Sequence, residues 1–186
     1  MIRAFLAIEI PDSLRPGLAQ VTGELKRSHA EVRWVPVGNI HLTLKFFGNV
    51  PDEEIGALAL AAREVAAAAA PFHLQVTGAG AFPSRQAPRV VWVGLGGDVV
   101  PLTQLYYRLE KAFATLGYLS EGRAFNPHLT LGRVKSPANR DKLAGMLAKM
   151  PPLNWPPFTV KELILFQSVL SPQGSKYTPL KVIPLG

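Results

Sequence analysis

The chain has 186 residues, and 48% hydrophobic against 18% charged residues gives it core material for one compact unit and excludes disorder along its length. It has no cysteine, which removes disulfide frameworks, thiol nucleophiles, thiolate zinc sites and iron–sulfur clusters, and its formal net charge of +7 favours anionic partners such as nucleic acid or phosphorylated small molecules. With no apolar run long enough to span a bilayer and no signal-peptide pattern, it reads as a soluble cytoplasmic protein without a membrane partner.

Residues 3–10 (RAFLAIEI) form a short apolar run before Pro11, which predicts a strand. Leu14, Leu18, Val21 and Leu25 then share one helical face, with Asp12 or Ser13 as the cap and Pro16 tolerated in the first turn. Residues 40–47 (IHLTLKFF) alternate like a half-buried strand that Gly48 and Pro51 close. Asp52, Glu53 and Glu54 suit a helix N-terminus, and the Ala-rich stretch after them predicts a helix that Pro71 stops. A strand over 72–79, a loop from Pro83 to Pro88 and a strand over 89–95 follow. Leu102, Leu105, Tyr106, Leu109, Phe113 and Leu116 mark the next helix, ending at Gly117. FNPHLTLGRV (125–134) alternates again, a short helix carries Leu143 to Met150, and FTVKELILFQS (158–168) reads as one strand.

These elements repeat. Strand, helix, HLTL strand, helix and strand occur twice, dividing the chain into approximate repeats 1–87 and 88–186 within one domain. The expected architecture is α+β and bilobal: two pseudo-twofold-related lobes whose antiparallel sheets line a central cleft, with helices outside.

Of four histidines, two head the tetrapeptides His41-Leu42-Thr43-Leu44 and His128-Leu129-Thr130-Leu131 at matching places in the repeat. On a strand, residues i and i+2 share a face, so each lobe presents one imidazole and one hydroxyl while both leucines turn inward. A single such motif is most simply a half-exposed strand with an incidental His. Two related by a pseudo-twofold place two imidazoles across one cleft, the base and acid that in-line phosphoryl displacement needs, with no metal or cofactor required. The Thr hydroxyls can donate to phosphate oxygens. Arg133 follows His128 by five residues and points away on a regular strand, but a bulge at Gly132 would turn it toward phosphate. Trp34 and Phe47, interleaved with Arg33 and Lys45, are candidates for stacking RNA bases, with core packing as the competing reading. Gly94-Leu95-Gly96-Gly97-Asp98 reads as a tight turn rather than a dinucleotide fingerprint, and His29 and His73 lack a Thr partner.

The segments RAFLAIEIP, WVPVGNIHLTLKFFGNV, FPSRQAPRVVWVGL, FNPHLTLGRV and LILFQSVLSPQGSKYTPL together resemble the 2H phosphoesterases. Within them the likeness is to the RNA 2′,3′-cyclic phosphodiesterases, also called 2′-5′ RNA ligases. That resemblance implies catalytic roles for His41 and His128, with the first as acid and the second as base, and phosphate binding by Thr43 and Thr130. It also draws in Ser168, Ser171 and Tyr177 without assigning them a role. The expected activity is metal-independent opening of RNA 2′,3′-cyclic phosphate ends to 2′-phosphates, transfer-RNA fragments being candidate substrates, with ATP-independent 2′-5′ ligation as a second activity. No obligate protein partner is evident. A phosphodiesterase for small cyclic nucleotide phosphates and a non-catalytic nucleotide- or RNA-binding module are the alternatives.

Overall fold

In the computed structural model, which describes residues 1–186, the first half of the chain forms β1 (Ile2–Glu9), α1 (Arg15–Lys26), β2 (Val32–Trp34), β3 (His41–Val50), α2 (Ile55–Ala67) and β4 (Phe72–Pro83). The second half forms β5 (Pro88–Gly97), α3 (Val99–Ala114), β6 (His128–Val134), α4 (Arg140–Lys149), β7 (Phe158–Val160), β8 (Glu162–Ser171) and β9 (Gly174–Pro184). All pairings are antiparallel and build two sheets, ordered β3-β1-β8-β9 and β2-β6-β5-β4-β7. The expected α+β, two-sheet architecture is therefore present, and in strand order β3-β1-β8 corresponds to β6-β5-β4. Each sheet is completed by the other half of the chain: β4 lies between β5 and β7, and β8 between β1 and β9.

One apolar core of 39 buried residues takes in all four HLTL leucines, and helices cover it, α2 against β8 and β9 and α4 against β4 and β5. The opposite face of the first sheet carries a small cluster of Phe5, Ala7, Ile164 and Phe166. Its position explains the unbroken apolar run Leu163 to Phe166: β8 sits inside a sheet with apolar contacts on both faces, so alternation disappears.

Several local expectations change. Neither Asp12 nor Ser13 caps α1; residues 12–14 make a 3-10 turn leading into it, and the Asp12 carboxylate accepts from Arg15 Nε at 2.9 Å. Gly48 does not end β3 but adopts φ +75° within it, and the strand runs to Val50. The single strand expected over 158–168 breaks at Lys161 into β7 and β8, which belong to different sheets. β9, unanticipated, pairs along the whole of β8 as a hairpin.

α3 ends at Ala114, short of the expected Leu116, and the chain turns out of it at Gly117, which has φ +91°, with the Tyr118 N–H bonded to the Phe113 carbonyl at 3.0 Å. Leu116 therefore falls outside the helix and is 40% exposed, whereas Phe113 is fully buried. Phe113→Ala is expected to cost about 3–5 kcal/mol in denaturant melts and Leu116→Ala less than about 0.5. Equal effects would contradict this placement of the helix end.

Candidate active site

β3 and β6 each open on a histidine and carry a threonine two residues on. Leu42, Leu44, Leu129 and Leu131 are buried in the core, and both His–Thr pairs line one cleft between the sheets. Each imidazole is held in the same way. Nδ1–H of His41 donates to the Asn39 carbonyl at 2.7 Å, and Nδ1–H of His128 to the Asn126 carbonyl at 2.6 Å. A carbonyl only accepts, so it fixes the hydrogen on Nδ1 and leaves Nε2 as the nitrogen that takes or gives a proton. At His41 that Nε2 accepts from the Thr43 hydroxyl at 2.9 Å. Asn precedes each motif by two residues, so the repeated unit is Asn-x-His-Leu-Thr-Leu, a longer signal than the tetrapeptide. The Asn39 side chain also donates to the Ser175 carbonyl at 2.8 Å, tying the segment before His41 to β9.

Aromatic walls flank both imidazoles. Phe5 stacks on His41 with centroids 4.8 Å apart, Tyr177 meets it edge-on at 5.3 Å, and Phe82 meets His128 edge-on at 5.0 Å.

Both motif strands carry a bulge at the same point. The β1–β3 register passes over Leu44 and the β5–β6 register passes over Leu131, which reverses the parity of the residues that follow, up to a second irregularity at Phe47 on β3. The fourth residue after each His thus turns inward and the fifth faces the cleft. On β6 the inward residue is Gly132, where a Cβ would lie 2.7 Å from Val32 and 2.8 Å from Trp34, and the cleft residue is Arg133. On β3 they are Lys45 and Phe46. Lys45 is buried, its Nζ donating to the Leu119 carbonyl at 2.8 Å and lying 2.9 Å from Glu110 Oε1. The latter contact is an ion pair without hydrogen-bond alignment, and both Glu110 oxygens lack a hydrogen-bond donor.

The bulge brings Arg133 together with His41, Thr43, His128 and Thr130. It sends Phe47 the other way, into edge-on contact with Phe113 and Tyr118, and Trp34 packs on the core beside Gly132. Neither faces the cleft, so the stacking roles expected for them are withdrawn. Phe46 and Arg3, whose guanidinium lies 4.7 Å from the Phe46 ring centroid, stand at the cleft instead. Ser168 and Tyr177 also line it, while Ser171 closes the β8–β9 turn through its hydroxyl to the Gly174 carbonyl. No pattern in the sequence marks Arg3, Phe5 or Ser175 for the site.

Burial holds both imidazoles below their ordinary value of 6.5, opposed in each case by the hydrogen bond to the Asn carbonyl; at His128 the positive charge of Arg133 lowers it further. Nowhere do three His, Asp or Glu side chains cluster as a metal site would need. The cleft around the two histidines has a volume of about 260 Å³ and adjoins a second hollow of about 530 Å³ beside His128.

Residues 8–92 and 98–177 match the family model described as LigT like Phosphoesterase. The chain is 36% identical over 184 residues to an RNA 2′,3′-cyclic phosphodiesterase of Methanothermobacter thermautotrophicus, covering 99% of each chain. Its structure is similar to that of Escherichia coli LigT complexed with 3′-AMP, with a TM-score of 0.81, 31% identity and coverage of 99% of this chain and 98% of that one. TT0787 of Thermus thermophilus is likewise similar, with a TM-score of 0.82, 28% identity and the same coverage of 99% and 98%.

Proposed function

The chain belongs to the LigT-like phosphoesterase family, and on that premise we propose that it hydrolyses RNA 2′,3′-cyclic phosphate ends with His41 and His128 as catalytic pair. The observation that carries this reading is the matched tethering of two imidazoles by Nδ1 across one cleft, each with a Thr hydroxyl beside it.

In this reading the cyclic phosphate lies between the two Nε2 atoms. His128 takes a proton from water as its oxygen bonds to phosphorus, the bond from phosphorus to the 3′ oxygen breaks, and His41 protonates that oxygen. The product is a 2′-phosphate with a free 3′-hydroxyl. Charge supports this division of labour. Arg133 disfavours a protonated His128, and the equivalent place beside His41 holds the uncharged Phe46. Thr43, Thr130 and Arg133 would donate to the phosphate oxygens, offsetting charge that develops there. Replacing water by the 5′-hydroxyl of a second RNA would give a 2′-5′ linkage without ATP, favoured only where pairing raises the local concentration of that end. The cysteine-free composition is compatible with a cytoplasmic setting.

The test is incubation with an oligonucleotide ending in a 2′,3′-cyclic phosphate, in excess chelator, with product mapping. The expected product is the 2′-phosphate. A 3′-phosphate would reverse the ring-opening direction, binding without turnover would select the binding module, and cleavage of mononucleotides alone would select the small-substrate enzyme.

A pH profile provides a second check. Because both imidazoles titrate below 6.5 in the free protein, kcat/KM is expected to follow a bell with its maximum on the acid side of 6.5. The bound phosphate anion favours the protonated imidazole, so the kcat bell should lie at higher pH. The same depression has a stability sign. Below pH 6.5 the unfolded chain binds more protons than the folded one, so melting temperature should fall as pH drops through the folded-state values. A kcat/KM maximum above pH 7 would contradict the burial-driven shifts.

A further inference from the structure

The hollow beside His128 is not used by the reaction just described. It shares Thr43, Phe46, His128 and Arg133 with the catalytic cleft, but neither His41 nor Thr130. The catalytic cleft alone, about 260 Å³, lies below the range of about 300–1,000 Å³ usual for small-ligand sites, and the adjoining hollow of about 530 Å³ lies within it. Its wall is formed by Tyr106 of α3 and Phe125, parallel rings with centroids 4.1 Å apart and an interplanar angle of 6°. Tyr107 meets the Tyr106 ring edge-on at 5.1 Å and Phe125 also packs on the core, while both stacked rings line the hollow. Arg123 stands at the rim, its side chain 83% exposed and held only by a surface bridge to Glu121 at 2.8 Å, a contact worth little. Lys45, Arg123 and Arg133 line the hollow against Glu110 and Glu121, so an aromatic wall with an exposed guanidinium at its mouth and a net positive lining, continuous with a phosphate site, matches one ligand unit: a base to stack and a phosphate to neutralise.

Resting on the cyclic-phosphodiesterase reading, we propose that this hollow binds a nucleotide adjoining the cyclic phosphate, its base stacked on the Tyr106–Phe125 pair and its phosphate met by Arg123. The nucleotide has two sources, the preceding residue of the same RNA or the 5′-hydroxyl end of a second strand approaching on the side of His128. Tyr106 is partly buried at the margin of the α3 core face, one turn before the buried Glu110, and so is not the fully covered residue that its helical spacing predicts.

The experiment compares kcat/KM for adenosine 2′,3′-cyclic phosphate and for a dinucleotide ending in the same group, in the unaltered protein, Tyr106→Leu and Arg123→Ala. If the preceding residue fills the hollow, the dinucleotide is expected to be preferred by about tenfold or more, and both variants should erase that preference while leaving the mononucleotide unchanged. If a second strand fills it, the two substrates should be hydrolysed alike. An added 5′-hydroxyl dinucleotide should then slow mononucleotide hydrolysis or be joined, and both variants should abolish that effect. Mononucleotide turnover with neither effect overturns the proposal, as does an equal loss on both substrates in the exposed Arg123→Ala variant. Absence of all turnover would refute the phosphodiesterase reading instead. Calorimetric binding of a 3′-phosphorylated dinucleotide then decides for the hollow: weakening by Arg123→Ala supports it and unchanged affinity overturns it.

Discussion

His41→Ala and His128→Ala are each expected to lower kcat by about 10²- to 10⁴-fold, the usual contribution of a general acid or base. Both protons move in one transition state, so the double variant should lose much less than the product of the single losses. Folding should survive in both, because each imidazole lies at the cleft and its hydrogen bond runs to a carbonyl that water can replace. Thr43, Thr130 and Arg133 remain in the cleft, so substrate should still bind. The measurement is single-turnover kinetics beside a thermal melt for each variant. Near-normal turnover in either single variant would remove that histidine from the mechanism.

Thr43→Val and Thr130→Val should follow, with losses of about 10²- to 10³-fold in kcat for each donor removed from the transferring phosphoryl group. Valine keeps the shape of threonine and replaces only the hydroxyl, by a methyl group. Thr43 is also the hydrogen-bond partner of His41 Nε2 in the free protein, so the two variants are not equivalent. Thr43→Val removes a donor from the neutral imidazole and should raise the pH of the alkaline limb in kcat/KM, whereas Thr130→Val should leave that limb in place. If melting temperature falls sharply while the rate per folded molecule stays constant, these hydroxyls are structural and face no phosphate.

Most of this site can be read from sequence because strand parity is a local rule. His41 and Thr43, and His128 and Thr130, share a face whatever the sheet does beyond them. Parity fails just past the threonines, at Leu44 and Leu131, where each register gains a residue. That is why regular alternation places Arg133 only conditionally and turns Phe47 toward RNA. A bulge is a property of two strands, and one strand's sequence shows it only where glycine marks the place, as Gly132 does on β6. On β3 the matching residue is Lys45, whose burial depends on Glu110 of a distant helix, a pairing no local pattern reveals. The same limit explains β7 and β8. Nothing in FTVKELILF states that its two ends join different sheets. Arg3, Phe5 and Ser175 reach the cleft through long-range strand pairing alone, so composition and spacing are silent about them.

The exchange of strands between the two sheets also sets the order in which the molecule can be finished during synthesis. The sheet that carries His128 needs nothing beyond Val160, and its last strand pairs onto β4, already made. The sheet that carries His41 begins with β1, the first strand to emerge, yet its interior position is filled by β8 and its edge by β9. Until those arrive near the C-terminus, β1 and β3 form a two-stranded ribbon, an arrangement of marginal stability with an open edge. Strand pairing around His128 can therefore be complete before that around His41, which waits for β8 and β9 to cover the open edge of β1.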